Sequence, residues 1–245
     1  AQLQDVKDFF FKHYTPVNAV LCVAGNITVE QVKSLAEKWF EEISSGHNYN
    51  RNLPQEPKQT SPRKLSIQAK VPLDALYKCW HIYPRLDKRY YTTDLITDIL
   101  SGGGSSRLFQ SLVKEQQLFS NIECHHFGSV DAGLLAIEGK LVKGIKMEHA
   151  EKAIEKELEK IKNNLISEAE LQKVKNKTES LMAFEDVSLV NRANSLATYE
   201  LLGDAGLMNK ELEYYHAVTV EEIQEESHNI FDESNSNTLY YHSEN

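Results

Sequence analysis

The stretch LSGGGSSRLFQSLVKEQQL, residues 100–118, separates two predicted helices. The first covers residues 91–100, and the three glycines that follow stop it, because glycine readily adopts the backbone conformation of a helix end. The second covers residues 106–118, and the serines after the glycines can cap it. The stretch is not typical of a phosphate-binding loop, which follows a strand and carries Lys-Ser or Lys-Thr.

The glycine-rich turn between these helices has two interpretations. In the first it only connects the helices, because glycine permits positive φ angles and serine caps the next helix. In the second it faces a substrate, since loops on a rigid scaffold often carry binding residues. The candidate substrate-binding residues are Gly102, Gly103, Gly104, Ser105, Ser106 and Arg107.

The elements around this turn predict the fold class. Apolar or alternating runs predict strands over residues 64–70, 76–82, 122–128, 134–141 and 239–241. Helical apolar faces fill most of the sequence between the second and third strands and between the fourth and fifth. Paired strands without a helix between them favour an α+β fold, with an antiparallel sheet and helices packed on one face.

The chain is predicted to contain two folded segments joined by a linker. Residues 1–45 are predicted to form a helix, a short strand over residues 19–24 and a second helix. Residues 46–63 hold half of the 6 Pro residues and many polar ones, as an extended linker does. Residues 64–245 are then predicted to form a complete α+β domain.

The first segment shows the same order of elements as the end of the second. In both places a helix is followed by an asparagine and a short apolar strand, Leu21-Cys22-Val23 and then Leu239-Tyr240-Tyr241. We interpret residues 1–45 as the tail of a preceding, related domain. Further residues are therefore expected before Ala1, and a gene that begins there would contradict this interpretation.

Charge and hydropathy restrict the partners. The formal net charge is −9, from 27 basic and 36 acidic residues, which argues against nucleic acid and against docking on anionic membrane. No apolar run approaches the ~20 residues of a membrane-spanning helix. The 3 Cys residues are too few and too far apart to predict a disulfide framework.

The sequence offers no metal-binding or nucleophilic motif. None of the 9 His residues lies in H-E-x-x-H or H-x-x-E-H, and no G-x-S-x-G motif occurs. The densest group of possible ligands is Glu123-Cys124-His125-His126, but neighbours in a strand point to opposite faces. No catalytic residue and no metal ligand is therefore predicted.

Five stretches together resemble the pitrilysin/insulinase family of zinc peptidases. Residues 9–26, FFFKHYTPVNAVLCVAGN, are similar to the passage that closes the first domain in that family, and residues 28–40 are similar to the helix that follows it. The family also has the glycine-rich turn and helix of residues 100–118. SEAELQKVK at residues 167–175 and VTVEEI at residues 218–223 match further family patterns in the same order.

The resemblance implies an architecture and a cofactor. Family members have two related α+β domains in each half, of the type seen in LuxS and processing peptidases, and two halves enclose an unfolded peptide. Zinc is bound by H-x-x-E-H and a later Glu in the first domain, upstream of the passage seen at residues 9–26. The chain would then be the C-terminal part of one half-enzyme, with an upstream zinc-binding domain and a second half as partners.

One departure from the family pattern concerns the substrate. The half without zinc often carries an Arg and a Tyr seven residues apart after the glycine-rich turn. Here the aligned positions are Val113 and Ser120, or Leu112 and Phe119 after a shift of one residue. We therefore expect a domain of the zinc-bearing half, and an upstream sequence without H-x-x-E-H would contradict this.

Two functions are consistent with the sequence. The first is the non-catalytic, substrate-enclosing part of a zinc metalloendopeptidase that hydrolyses unstructured peptides. In the whole enzyme, zinc would activate a water molecule and a Glu would act as general base. The alternative is a non-catalytic binding or scaffold protein on the same fold, whose parent has lost the zinc motif.

Overall fold

The computed structural model describes residues 1–47, 53–54, 56–128 and 130–244. Within them the chain divides into two compact units, residues 1–57 with 181–210, and residues 58–180 with 211–245. Part of the predicted linker, residues 48–52 and 55, lies outside the described residues. The predicted domain boundaries remain a prediction. No helix in the described part of the chain is long and apolar enough to cross a bilayer.

The helices follow the predicted apolar periodicity. Their bounds are α1 Leu3–His13, α2 Val29–Phe40, α3 Arg89–Ser101, α4 Met147–Asn163, α5 Glu168–Glu185, α6 Leu189–Leu201, α7 Glu211–Ala217 and α8 Val220–Ile230. A π-helix, Phe109–Glu115, replaces most of the α-helix predicted after the glycine-rich turn. Its wider turns are seen where Gln116 N–H donates to the carbonyl of Ser111, 3.0 Å away.

The second unit contains a five-stranded sheet. The strands are β1 Arg63–Ala69, β2 Ala75–Ile82, β3 Phe119–Phe127, β4 Gly133–Leu141 and β5 Ser236–Ser243, in the spatial order β1-β5-β2-β4-β3. The α+β class is confirmed. Three of the four pairings are antiparallel as predicted, whereas β1 and β5 are parallel. These two strands are far apart in sequence, so no hairpin dictates their direction.

The core of this unit lies between one face of the sheet and the helices. Alternate residues of β2 point inward, and Trp80 is 1% exposed and packs edge-on against Phe231, with ring centroids 5.1 Å apart. The cross-strand neighbour of Trp80 on β4 is Leu135, which is fully buried. From the helices, Leu95 and Ile154 are also fully buried. Burial of this apolar surface is the main stabilising term, and it fixes α3 and α4 on the sheet.

The first unit has little core of its own. No residue of α1 or α2 is buried, and apolar side chains of α1, such as Phe9 at 59%, are exposed. The strand predicted over residues 19–24 is absent from the described structure, which corrects that part of the helix–strand–helix prediction. A strand requires a hydrogen-bonded neighbour, and none of the described residues pairs with this segment.

Candidate functional site

The backbone makes different demands at the three glycines of the predicted turn. Gly102 N–H donates to the carbonyl of Asp98, 2.7 Å away, and a Cβ at Gly102 would collide with that carbonyl. Gly103 has a φ of +122°, which L-residues rarely adopt. A Cβ at Gly104 would meet no atom within 4 Å. The fold therefore requires glycine at the first two positions but not at the third.

The serines after the glycines tighten the turn. The Ser106 hydroxyl donates to the carbonyl of Gly103 at 2.7 Å, and Ser106 N–H donates to the same carbonyl at 3.0 Å. Ser105 is exposed, and its hydroxyl accepts a hydrogen bond from Lys173 of α5 at 3.2 Å. The turn is thus held by its own backbone and by a neighbouring helix.

Arg107, the last candidate residue, is engaged by α5. Its Nε and terminal nitrogen donate to the two carboxylate oxygens of Glu170, at 2.9 and 2.7 Å. This paired geometry is the strongest form of a side-chain ion pair. Arg107 holds the pKa of Glu170 below its ordinary value, against the opposing effect of burial.

The pairing changes the start of α5. The sequence suggests a capping box between Ser167 and Glu170, and Glu170 N–H does donate to the Ser167 hydroxyl at 3.2 Å. The Glu170 side chain, however, binds Arg107 and not the backbone of Ser167. Only half of the capping box forms, because a tertiary charge partner competes for the carboxylate.

A third residue of α5 reaches the base of the turn. Lys177 Nζ lies 2.7 Å from a carboxylate oxygen of Asp98 and 3.3 Å from the carbonyl of Gly102. Glu170, Lys173 and Lys177 are spaced three and four residues apart, so they lie on one side of the helix. One face of α5 therefore contacts the turn at three points.

The structure also shows how the residues at the positions of the family's Arg and Tyr are placed. Leu112 is fully buried and Phe119 is 1% exposed, so these residues belong to the core. Val113 is half-buried, and Ser120 is exposed with its hydroxyl donating to the carbonyl of Lys140 at 3.1 Å. Neither pair offers a guanidinium or a phenol to a peptide.

The side chains of Glu123 to His126 point alternately to the two faces of the sheet, because these residues lie in β3. Cys124 is buried, and burial raises the pKa of its thiol. His126 Nε2 lies 2.9 Å from the Tyr90 hydroxyl, and its Nδ1 lies 3.4 Å from a carboxylate oxygen of Asp94. In the described residues no three His, Cys, Asp or Glu side chains are placed to share a metal ion. The four residues Glu123 to His126 therefore do not form a zinc site among the residues that the structure describes.

Sequence reasoning missed the network around Asp94. The Tyr215 hydroxyl donates to Asp94 at 2.6 Å from α7, while His126 approaches the same carboxylate from β3. Burial lowers the pKa of His126, and Asp94 offsets only part of this effect. In the sequence only Tyr90 and Asp94 lie close together, four residues apart, whereas His126 and Tyr215 lie on distant elements.

Comparison with known proteins places these features in a family. The family model described as the peptidase M16 inactive domain matches residues 1–178. The chain is 28% identical over 176 residues to the zinc protease PqqE of Helicobacter pylori, covering 71% of the chain and 40% of that protein. It is 24% identical over 231 residues to the uncharacterized zinc protease YmxG of Bacillus subtilis, covering 93% and 55%.

Solved structures share the fold. A protease from Helicobacter pylori superposes with a TM-score of 0.91 at 24% identity, over 98% of this chain and 59% of that one. A peptidase M16 inactive domain from Pseudomonas fluorescens superposes with a TM-score of 0.83 at 16% identity, over 99% and 58%. The chain thus spans about half the length of the relatives it matches.

The resemblance to the pitrilysin/insulinase family is confirmed by these matches. The relatives are named zinc proteases, whereas the described part of this chain brings no metal-binding group together. The chain belongs to the peptidase M16 family, in the part described as its inactive domain.

Proposed function

We propose that this chain is the non-catalytic, substrate-enclosing part of a zinc-dependent endopeptidase that cleaves unstructured peptides. The observation that carries the proposal is the match of residues 1–178 to the peptidase M16 inactive domain. The relatives named zinc proteases extend well beyond the matched region. Zinc and its ligands would lie in that additional length, and this chain would supply part of the wall around the peptide.

Exposed apolar surface supports an upstream zinc-binding domain as the partner. Trp39 and Phe40 of α2 are 65% and 51% exposed, and Phe184 near the end of α5 is 78% exposed. Large exposed apolar side chains are typical of protein–protein contact surfaces when they lie together on one patch. We propose residues 1–45 as the tail of that upstream domain, 46–63 as a linker and 64–245 as the following domain.

The glycine-rich turn supports contact with a peptide. Gly103 and Gly104 are exposed, and Gly104 leaves open space that the fold itself does not use. A peptide main chain can approach such a position closely. Because the Arg107 guanidinium binds Glu170, we assign Arg107 to holding the turn and the glycines to facing the substrate. The second half-enzyme would close the chamber opposite this surface.

Zinc content and peptide turnover test the proposal. The whole protein is expected to hold stoichiometric zinc and to cleave an unstructured peptide, with cleavage lost on chelation. The chain of residues 1–245 alone is expected to do neither. Stoichiometric zinc on this chain with chelator-sensitive turnover would contradict the proposal. A whole protein that binds peptide without zinc or cleavage would establish the scaffold alternative instead.

A further inference from the structure

We propose that Glu170 and Lys177 are positioning residues that hold the glycine-rich turn, residues 102–107, in the conformation that receives the peptide. Neither residue has to touch substrate. The inference rests on the proposed function of the turn, and it adds how the turn keeps its shape. It assigns to α5 a role in affinity for the peptide.

The two residues act at opposite ends of the turn. Glu170 binds Arg107 where the turn ends, with contacts of 2.9 and 2.7 Å. Lys177 binds Asp98 at 2.7 Å and the carbonyl of Gly102 at 3.3 Å, where the turn begins. A flexible loop fixed at both ends loses most of its alternative conformations, so a ligand has less ordering to impose.

Partial burial strengthens the Arg107–Glu170 contact relative to an exposed surface pair. The side chains of Arg107 and Glu170 are 23% and 22% exposed, whereas that of Lys177 is 39% exposed and that of its partner Asp98 is 24% exposed. A doubly hydrogen-bonded ion pair that is partly shielded from water is screened less than an exposed one. Between the two anchors, Gly103 and Gly104 remain exposed. The arrangement fixes the ends of the turn and leaves its middle accessible.

The helix can transmit this constraint because it is itself anchored in the core. Leu171 and Val174 of α5 are each 2% exposed. In the sequence these two residues lie between Glu170, Lys173 and Lys177, which contact the turn or its flanking residues. Lys175 donates to the carbonyl of His216 at 2.9 Å and to that of Val218. The turn is therefore held by a helix that packs in the core and not by another loop.

The experiment uses the whole protein with Glu170→Gln and Lys177→Met, each made singly. Steady-state cleavage of an unstructured peptide separates KM from kcat, and amide hydrogen exchange reports on Gly103, Gly104 and Ser105. We expect KM to rise roughly tenfold with kcat nearly unchanged, since misplacing a binding element weakens binding before chemistry. Exchange of the turn amides should rise by a similar factor, while that of Leu135 in β4 stays constant.

A matched control and a rescue complete the design. Asp87→Asn removes the paired contacts between Asp87 and Arg89, 2.9 and 2.6 Å, which have the same geometry but lie away from the turn, and should leave KM unchanged. The double exchange Arg107→Glu with Glu170→Arg should recover most of the lost affinity. If the single variants raised KM only because they destabilised the protein, the double exchange would not restore it.

Each result decides a different point. A wild-type protein that neither binds nor cleaves peptide would overturn the proposed function, and the exchange data would still test the contacts. Unchanged exchange of the turn in both variants would overturn the positioning role. Raised exchange with an unchanged KM would show that the peptide does not use this turn. A fall in kcat with constant KM would also overturn the inference.

Discussion

Lys78 and Glu151 form a shielded ion pair, 2.8 Å long, between the inner face of the sheet and α4. Lys78 lies on the face of β2 that also carries Trp80, and it is 5% exposed. Glu155 provides a second carboxylate at 2.8 Å. The charge of Lys78 is therefore accepted in the core because α4 brings two acidic side chains to it.

The first prediction concerns the removal of this partner. Glu151→Gln should destabilise the chain by roughly 3 kcal/mol, because Lys78 loses its most buried partner while remaining inside. Urea-induced unfolding at neutral pH measures the change. Glu159→Gln is the matched control, since Glu159 binds Lys162 at 2.6 Å but is 55% exposed, and should cost less than about 1 kcal/mol. Equal losses in both variants would refute the special role of Glu151.

The same carboxylate predicts a pH dependence. Burial alone would raise the pKa of Glu151, but hydrogen bonds from Lys64, Lys78 and Tyr240 outweigh it and lower the pKa to about 2. The stabilisation is then fully present above the ordinary value of 4.5 and is lost as the pH falls toward 2. Unfolding measured from pH 5 to pH 2 should show a shallower decline in Glu151→Gln than in the wild type.

Glu226 predicts the opposite pH dependence. Burial raises the pKa of this side chain to about 7, and its Oε1 has no partner among the described residues. A raised pKa means that stability is lost as the pH rises from 4.5 through about 7. Glu226→Gln should therefore stabilise the chain by roughly 1–2 kcal/mol at pH 8 and much less at pH 5.

The neighbouring Glu225, which is exposed, is the control for Glu226. Glu225→Gln changes the net charge by the same amount and should leave the slope of stability against pH between 5 and 8 as it is in the wild type. Thermal or urea unfolding at several pH values measures both variants. A parallel curve for Glu226→Gln would show that its carboxyl ionises normally in the folded chain.

Alanine at two adjacent glycines should separate folding from binding. Gly103→Ala should destabilise the chain by about 1–3 kcal/mol, because the φ of +122° is strained for alanine. Gly104→Ala should leave stability unchanged or raise it by up to about 1 kcal/mol, since its Cβ meets no other atom. In the whole protein Gly104→Ala should nevertheless weaken peptide binding. Unchanged affinity would remove Gly104 from the proposed substrate surface.

Exposed apolar side chains provide a test of the proposed contact with an upstream domain. Phe184→Ser should weaken association with a separately prepared zinc-binding domain by roughly tenfold or more, because large apolar side chains dominate such interfaces. Phe127→Ser is the control, since Phe127 is exposed as well, at 59%, but lies on β3. Calorimetric titration measures both. Equal affinities for wild type and Phe184→Ser would place Phe184 outside the interface.

The sequence by itself determined most of the helix starts, strand faces and turns of the second unit. Capping boxes at Thr28 with Gln31 and at Thr219 with Glu222 open α2 and α8, and all their bonds lie within four residues of the sequence. Alternation in β2 placed Leu76, Lys78 and Trp80 on one face. The glycine-rich turn was predicted from its residues alone, because its backbone requirements are local.

Only the tertiary structure decided which partner each side chain found. Alternation put Lys78 on an apolar face, but no sequence rule pairs it with Glu151, 73 residues away. Glu170 left its capping box for Arg107, 63 residues away, because a charged, two-point contact is stronger than a cap. The strand predicted over residues 19–24 did not form, since a strand needs a neighbour as well as a propensity. Local pattern specifies what a segment can become, and long-range contacts specify which of its possible bonds it makes.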